Sequence, residues 1–313
     1  LIDTFLYEFK QGNEKITDFV KGNKLSGIDL YQLAIMQLEL LKKADPNHPS
    51  YVSRQAEFYH LDGNLRRAGL RYNEVLEMDP LLPLTKDEER LIEKFCPIFF
   101  ITPKECFPLK DIVAVHHPVK PLIGYHLFWE DDYDFPDDYE PCDHEEVWVE
   151  YDQEKEEVTN VMCWFHSRVL ESEAAVEEAQ ANQQRAIIRI EWGKHGSLLC
   201  GWESMQEPLT GVFLPTWLRE TYDHVKSGGR VSDHPLKKFW PKGFDGTFEE
   251  YIDFSVLIDP LELLRKKPLL FKTRWVNAAI FTHALLYNFH PKMEWPDRFY
   301  QSIAQELQSD TGL

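Results

Sequence analysis

The sequence predicts an α+β chain: a helical repeat front, an antiparallel β-sandwich behind it, and helices toward the C-terminal end. Three observations predict it. Alanine and Asp-Pro recur at an interval of 34 residues in the first part, as Ala34 with Ala68 and Asp45-Pro46 with Asp79-Pro80. After Pro97 the apolar stretches shorten and alternate with polar residues, which is the period of a half-buried strand. From about residue 246 longer apolar-periodic segments return, punctuated by Asp259-Pro260 and His290-Pro291. The expected divisions are 1–96, 97–245 and 246–313. The last helices are expected to pack on the strand-rich body.

In the front, helices are expected at about 29–44, 49–62 and 64–78, with another at about 85–96. Thr85 with Glu88 three residues on reads as a capping box that opens this fourth helix. Leu38 and Tyr72 keep the same 34-residue step, and Tyr59 and Gly63 precede Ala68. Together these residues resemble the tetratricopeptide repeat, over about 80 residues. In that repeat a small residue lets two helices approach, and proline ends the second because it cannot continue the hydrogen-bond ladder. Val52 and Gln55 stand where the repeat has its Trp and Leu. The resemblance implies a groove that holds a protein partner; the alternative is a helical bracket packed on the body.

The chain has 313 residues and 43% hydrophobic content, enough for two ordinary domains with real cores. Its formal charge of -19 argues against nucleic-acid binding, which needs a basic face to displace counterions. It fits a cation or a basic partner. Apolar runs fall short of the 18 or so residues a membrane span needs. The first residues, from Leu1, do not read as a signal peptide, and the compartment stays open. Five cysteines, widely spaced and without a CxxC pair, read as mostly buried free thiols.

Strands are expected at Ile98–Ile101, Ile112–Val115, Leu122–Trp129, Glu146–Tyr151, Val158–Val169 and Ala186–Trp192, with a helical insert at about 171–184. Helices are expected at Thr247–Leu257, Arg274–Tyr287 and Trp295–Gln308. Glu130–Glu157 holds fifteen acids and one lysine, interleaved with Tyr133, Phe135, Pro136, Tyr139 and Trp148. Crowded carboxylates repel one another, and a bound hard cation relieves that repulsion.

Three segments carry candidate chemistry: Cys142-Asp143-His144-Glu145-Glu146-Val147-Trp148-Val149, Met162-Cys163-Trp164-Phe165-His166-Ser167-Arg168, and Glu191-Trp192-Gly193-Lys194-His195-Gly196-Ser197. In a strand, Asp143 and Glu145 share one face, with His144 and Glu146 on the other. Preceded by Gly124-Tyr125-His126-Leu127-Phe128-Trp129, these segments resemble the necrosis-inducing-protein-like β-sandwich and the related vacuolar-sorting-associated family, over roughly 110–205. The resemblance implies a divalent cation held by Asp143, Glu145 and His166, with Asp131 or Asp132 as the loop aspartate. His144 stands where the family has Trp, and Cys142 where it has His.

The leading expectation is a protein that binds a divalent cation (Ca, Mg, Mn or Zn), with metal-assisted hydrolase or lyase chemistry and His144 or His195 as general acid or base. Alternatives remain at the level of residues. His166 reads equally as a satisfied core histidine, and His195 as a turn residue. Arg168 could partner the acids in place of a metal, and Cys142 with His166 could form a nucleophile pair. The rival function is a non-enzymatic assembly subunit that uses the helical front. A toxin-like, cation-dependent sugar binder ranks last. Nucleophile elbow, Walker A, dinucleotide-binding and zincin motifs are missing from the sequence.

Overall fold

A computed structural model describes residues 27–105, 107–132, 143–166, 168–208, 210–226, 246–287 and 295. The chain divides into two compact units. One comprises the described residues through Leu81 together with Trp275–Leu286 and Trp295, and the other comprises the described residues of Leu82–Arg274 with Tyr287.

The helical unit contains α1 (Gly27–Ala44), α2 (Pro49–Leu61), α3 (Leu65–Met78) and α9 (Val276–Tyr287). Pro49 sits at the start of α2, where its missing N–H costs nothing. Asn64 caps α3 by accepting a hydrogen bond from the Arg67 N–H at 3.3 Å. Ala34, Ala56 and Ala68 are buried in one cluster with Val52, Tyr59, Tyr72 and Val75. Small side chains at these crossings let the backbones approach. From α9 the cluster receives Ala278 and Phe281, and Phe281 stacks on Tyr72 at 5.6 Å. The Trp275 indole N–H donates to Asp79 at 2.6 Å, and the Asn277 amide donates to Glu57 at 3.2 Å. This last described helix was expected on the strand-rich body and instead belongs to the helical unit.

The strand-rich unit opens with α4 (Lys86–Lys94), whose capping box is complete. The Thr85 hydroxyl accepts from the Glu88 N–H at 3.1 Å, and the Glu88 carboxylate accepts from the Thr85 N–H at 2.8 Å. Its strands are β1 (Ile98–Ile101), β2 (Leu109–His116), β3 (Leu122–Trp129), β4 (Asp143–Asp152), β5 (Glu157–Phe165), β6 (Arg168–Glu171), β7 (Ile187–Ile190), β8 (Ser197–Leu198), β9 (Val256–Ile258) and β10 (Leu270–Lys272). The helices of this unit, after α4, are α5 (Glu173–Ala181), α6 (Leu214–Lys226), α7 (Phe248–Tyr251) and α8 (Leu261–Lys266).

Two open sheets result, ordered β10-β2-β3-β4-β5-β6 and β8-β7-β1-β9. Strands β2 to β6 form an antiparallel meander, as the sequence suggested. The expectation of purely antiparallel pairing is corrected at two places. β1 pairs β7 in parallel, and β10 pairs β2 in parallel. Both pairings join distant segments, so local patterning carries no signal for them. Residues of both sheets, among them Phe99, Ile188, Ile190, Tyr125, Leu127, Val147 and Phe165, belong to one buried cluster. The helix expected at Thr247–Leu257 is only the single turn α7. Val256–Ile258 pairs with β1 instead, because three β-branched or leucine side chains there meet a strand partner. The helix expected at Trp295–Gln308 lies outside the described residues, Trp295 excepted.

Candidate acid–base site

Alternation along β4 divides its polar residues between two faces. Asp143 and Glu145 share the face of Val147 and Val149, which belong to the buried cluster. His144 and Glu146 fall on the other face, where Glu146 pairs in register with His126 of β3. All four are buried.

Asp143 meets His195. The imidazole Nδ1 stands 2.9 Å from Asp143 Oδ2, and Nε2 stands 3.5 Å from Glu105 Oε1. The ring is stacked on Trp129 at 4.3 Å and fully buried. Burial alone drives such an imidazole toward neutrality. The Glu105 and Asp143 carboxylates overcome it and hold its pKa up at about 10. Glu105 is correspondingly held below the usual carboxylate range, against its own burial, by His195 and by the N–H groups of Phe107 and Gly193. His195 is therefore a buried imidazolium between two carboxylates rather than an accessible acid or base.

His195 belongs to the turn between β7 and β8, and the turn begins with Glu191. The Glu191 N–H donates to Gly196 O at 2.9 Å, and the His195 N–H donates to Glu191 O at 3.0 Å. Gly193 (φ 67°) and His195 (φ 54°) adopt the left-handed region that this tight reversal needs. Glu191 is fully buried. Its Oε2 engages His166 Nε2, and its Oε1 accepts from the Tyr251 hydroxyl at 3.0 Å. A Cβ at position 196 would lie 2.8 Å from Glu191 Oε2 and 2.9 Å from His166 Nε2, so a side chain there would force this pair to shift.

His166 stands at the tip of the β5–β6 hairpin, just beyond the Phe165↔Arg168 pair, with φ 46°. Its ring stacks against Trp217 of α6 at 5.5 Å, and its side chain is 19% exposed. Of the candidate histidines in the three segments, this one reaches solvent; His144 and His195 are fully buried. Arg168, proposed from sequence as a partner for the acids, pairs with the buried Glu207 at 2.5 Å.

The four residues expected to hold a cation do not come together as one set. Asp143 engages His195, and His166 engages Glu191. Asp131 is buried and accepts from the Asp132 N–H at 3.0 Å. The charge of Glu145 reaches Cys163, whose thiol is pushed up by burial first and by that carboxylate second. Among the described residues, no group of three or more His, Cys, Asp or Glu side chains stands where it could hold a metal ion. On the other face of β4, His126 lies 2.9 Å from Glu146, and burial lowers its pKa to about 3. Cys96 and Cys163 are buried and free, and Cys200 is half-buried and free. Cys106, Cys142 and the acidic stretch 133–142 lie outside the described residues.

Glu105, Glu191, Glu207, Trp217 and Tyr251 were not singled out from the sequence. Glu191 was inside a quoted segment, and a carboxylate at a strand end four residues before a Gly-flanked histidine was the available signal. No helix among the described residues is long and apolar enough to cross a membrane. Compared with family models, curated proteins and solved structures, the chain matches none.

Proposed function

We propose that the strand-rich unit is an acid–base catalyst of the hydrolase or lyase type, with His166 as the proton-transferring group. One observation carries this reading: a fully buried carboxylate, fixed by Tyr251, holds Nε2 of an imidazole that is itself partly exposed. A carboxylate at Nε2 favours the tautomer with its proton there and leaves Nδ1 as the basic nitrogen. Nδ1 then takes a proton from water or a substrate hydroxyl and returns it to the leaving group. Glu191 orients the ring and balances the imidazolium that forms. The test is a screen of carboxylic and phosphoric esters with wild type beside His166→Gln. Turnover that falls by about a hundredfold in the variant supports the reading. Turnover unchanged in the variant sinks it.

A second reading keeps the divalent cation that the acidic sequence suggests, although the described residues do not bring three ligands together. Asp143 and Glu145 share one face of β4, each 4% exposed, and Asp131 is buried beyond the end of β3. Elemental analysis of wild type and Asp143→Ala decides it: about one equivalent of metal lost in the variant supports the cation, and metal-free wild type rules it out. For the helical unit we keep the tetratricopeptide-like reading and a protein partner. The buried Ala34 and Ala68 support it, as does a cleft of about 590 Å³ bordered by Met36, Leu40, Tyr59 and Arg67. For the two sheets the sandwich reading rests on their shared buried cluster.

A further inference from the structure

We propose that the His166 site receives an oxyanion, a carboxylate or phosphoryl group of its substrate, on the outer edge of Arg168. The proposal takes its location from the acid–base reading and its chemistry from Arg168 itself.

Arginine carries five N–H donors in a rigid plane. In Arg168, Nε donates to Glu207 Oε1 at 2.5 Å and Nη1 donates to the His166 carbonyl. No described residue accepts from Nη2. The side chain is 16% exposed, which leaves part of it within reach of a ligand. Glu207 is fully buried and is itself fixed by the Thr210 N–H at 2.6 Å and by the Thr210 hydroxyl. The guanidinium is thus held at two points and presents its remaining donors in one orientation. Such preorganisation lowers the entropic cost of binding a ligand.

Position links these donors to His166. The guanidinium carbon lies 5.3 Å from the Trp217 ring centre, and the His166 ring centre lies 5.5 Å from it. One indole therefore carries both a base and a fixed donor. Negative charge that develops as His166 removes a proton would meet Arg168 without reorganisation. Three terms oppose anion binding. Glu207 offsets the guanidinium charge, the Glu191 carboxylate engages His166, and the chain carries -19 overall. The last is screened beyond about 8 Å at physiological salt, whereas a directly bonded Nη2 donor acts at contact.

The test is titration of the full chain with inorganic phosphate and, separately, with acetate. The readouts are the Arg168 side-chain and His166 ring signals in NMR. Saturable shifts are expected, and whichever anion binds more tightly names the group. Removing Arg168 alone strands the Glu207 charge, so the informative variant is R168M/E207Q, with Arg168→Lys beside it and folding checked by circular dichroism. At least about tenfold weaker binding is expected in the double variant. Equal binding in wild type and a folded double variant overturns the proposal, as does a lack of saturable shifts with either anion. Anion binding that depends on Arg168, combined with turnover indifferent to His166→Gln, sinks the acid–base reading and leaves the oxyanion site standing.

Discussion

Asp143 and His195, 52 residues apart in sequence, meet at 2.9 Å and join the start of β4 to the β7–β8 turn. Glu105 approaches the same ring from the connection between β1 and β2. The turn they hold also carries Glu191, so the buried imidazolium lies in the same turn as the carboxylate that engages His166.

That arrangement sets a pH dependence. The folded pKa of His195, about 10, lies above its ordinary 6.5. Its contribution to stability is fully present below 6.5 and is lost as pH rises through about 10. Glu105 has the opposite sign: its lowered pKa contributes stability above its ordinary 4.5, and that is lost on acidification. Thermal unfolding of wild type is expected to weaken steadily across the alkaline range. His195→Gln should lose that slope, along with roughly 3–5 kcal/mol, because two buried carboxylates lose their counter-charge. An alkaline slope identical in the variant contradicts the assignment.

Gly196→Ala tests the crowding around the dyad. The new methyl would sit under 3 Å from both Glu191 Oε2 and His166 Nε2. The expected cost is about 1–3 kcal/mol of stability, with displacement of the imidazole. A crystal structure of the variant with the His166–Glu191 contact intact would count against the proposed packing.

Glu191→Gln keeps the shape and the Tyr251 contact while removing the charge. Nitrogen NMR of His166 should report the Nε2-protonated tautomer in wild type and a mixture in the variant. Any ester turnover should fall by roughly a hundredfold. Unchanged tautomer and unchanged turnover together would leave Glu191 without the orienting role.

In the helical unit, Ala68 is fully buried among Val52, Tyr72 and Ala278. Ala68→Leu should overpack that crossing at a cost of about 1–3 kcal/mol. Denaturant unfolding followed by helical circular dichroism measures it; a shift within error would mean the crossing has room to spare.

Local patterning made much of this fold legible. The helices at 27–44, 49–61 and 65–78 stand where period and punctuation put them, and the alternating run Glu146-Val147-Trp148-Val149 is indeed strand, though buried on both faces rather than half-buried. The amphipathic run Leu214, Leu218, Tyr222 carries the same kind of signal and marks α6, a helix not among those expected. Long-range pairing was not legible. Leu270–Lys272 becomes a strand only because β2 offers a parallel partner more than 150 residues earlier. The candidate site follows the same rule. His166 and His195 were recognisable as histidines in unusual settings, but their partners Glu191, Tyr251 and Glu105 come from 25, 60 and about 90 residues away in the contacts that define them. One sequence cannot tell a carboxylate awaiting a metal from one already facing an imidazolium, because both are acids beside apolar strands.

The helix Val276–Tyr287 completes the cluster built by Pro49–Leu61 and Leu65–Met78. In chain order the strand-rich unit is therefore a guest inserted between two parts of its host, whose own chain is interrupted from Leu82 to Arg274. On the ribosome the early helices emerge long before Phe281, which stacks on Tyr72, is synthesised. While the whole guest is translated, Tyr72 has His60 but not Phe281, and Asp79 has yet to meet Trp275. Its order of assembly is thus set by the length of what interrupts it.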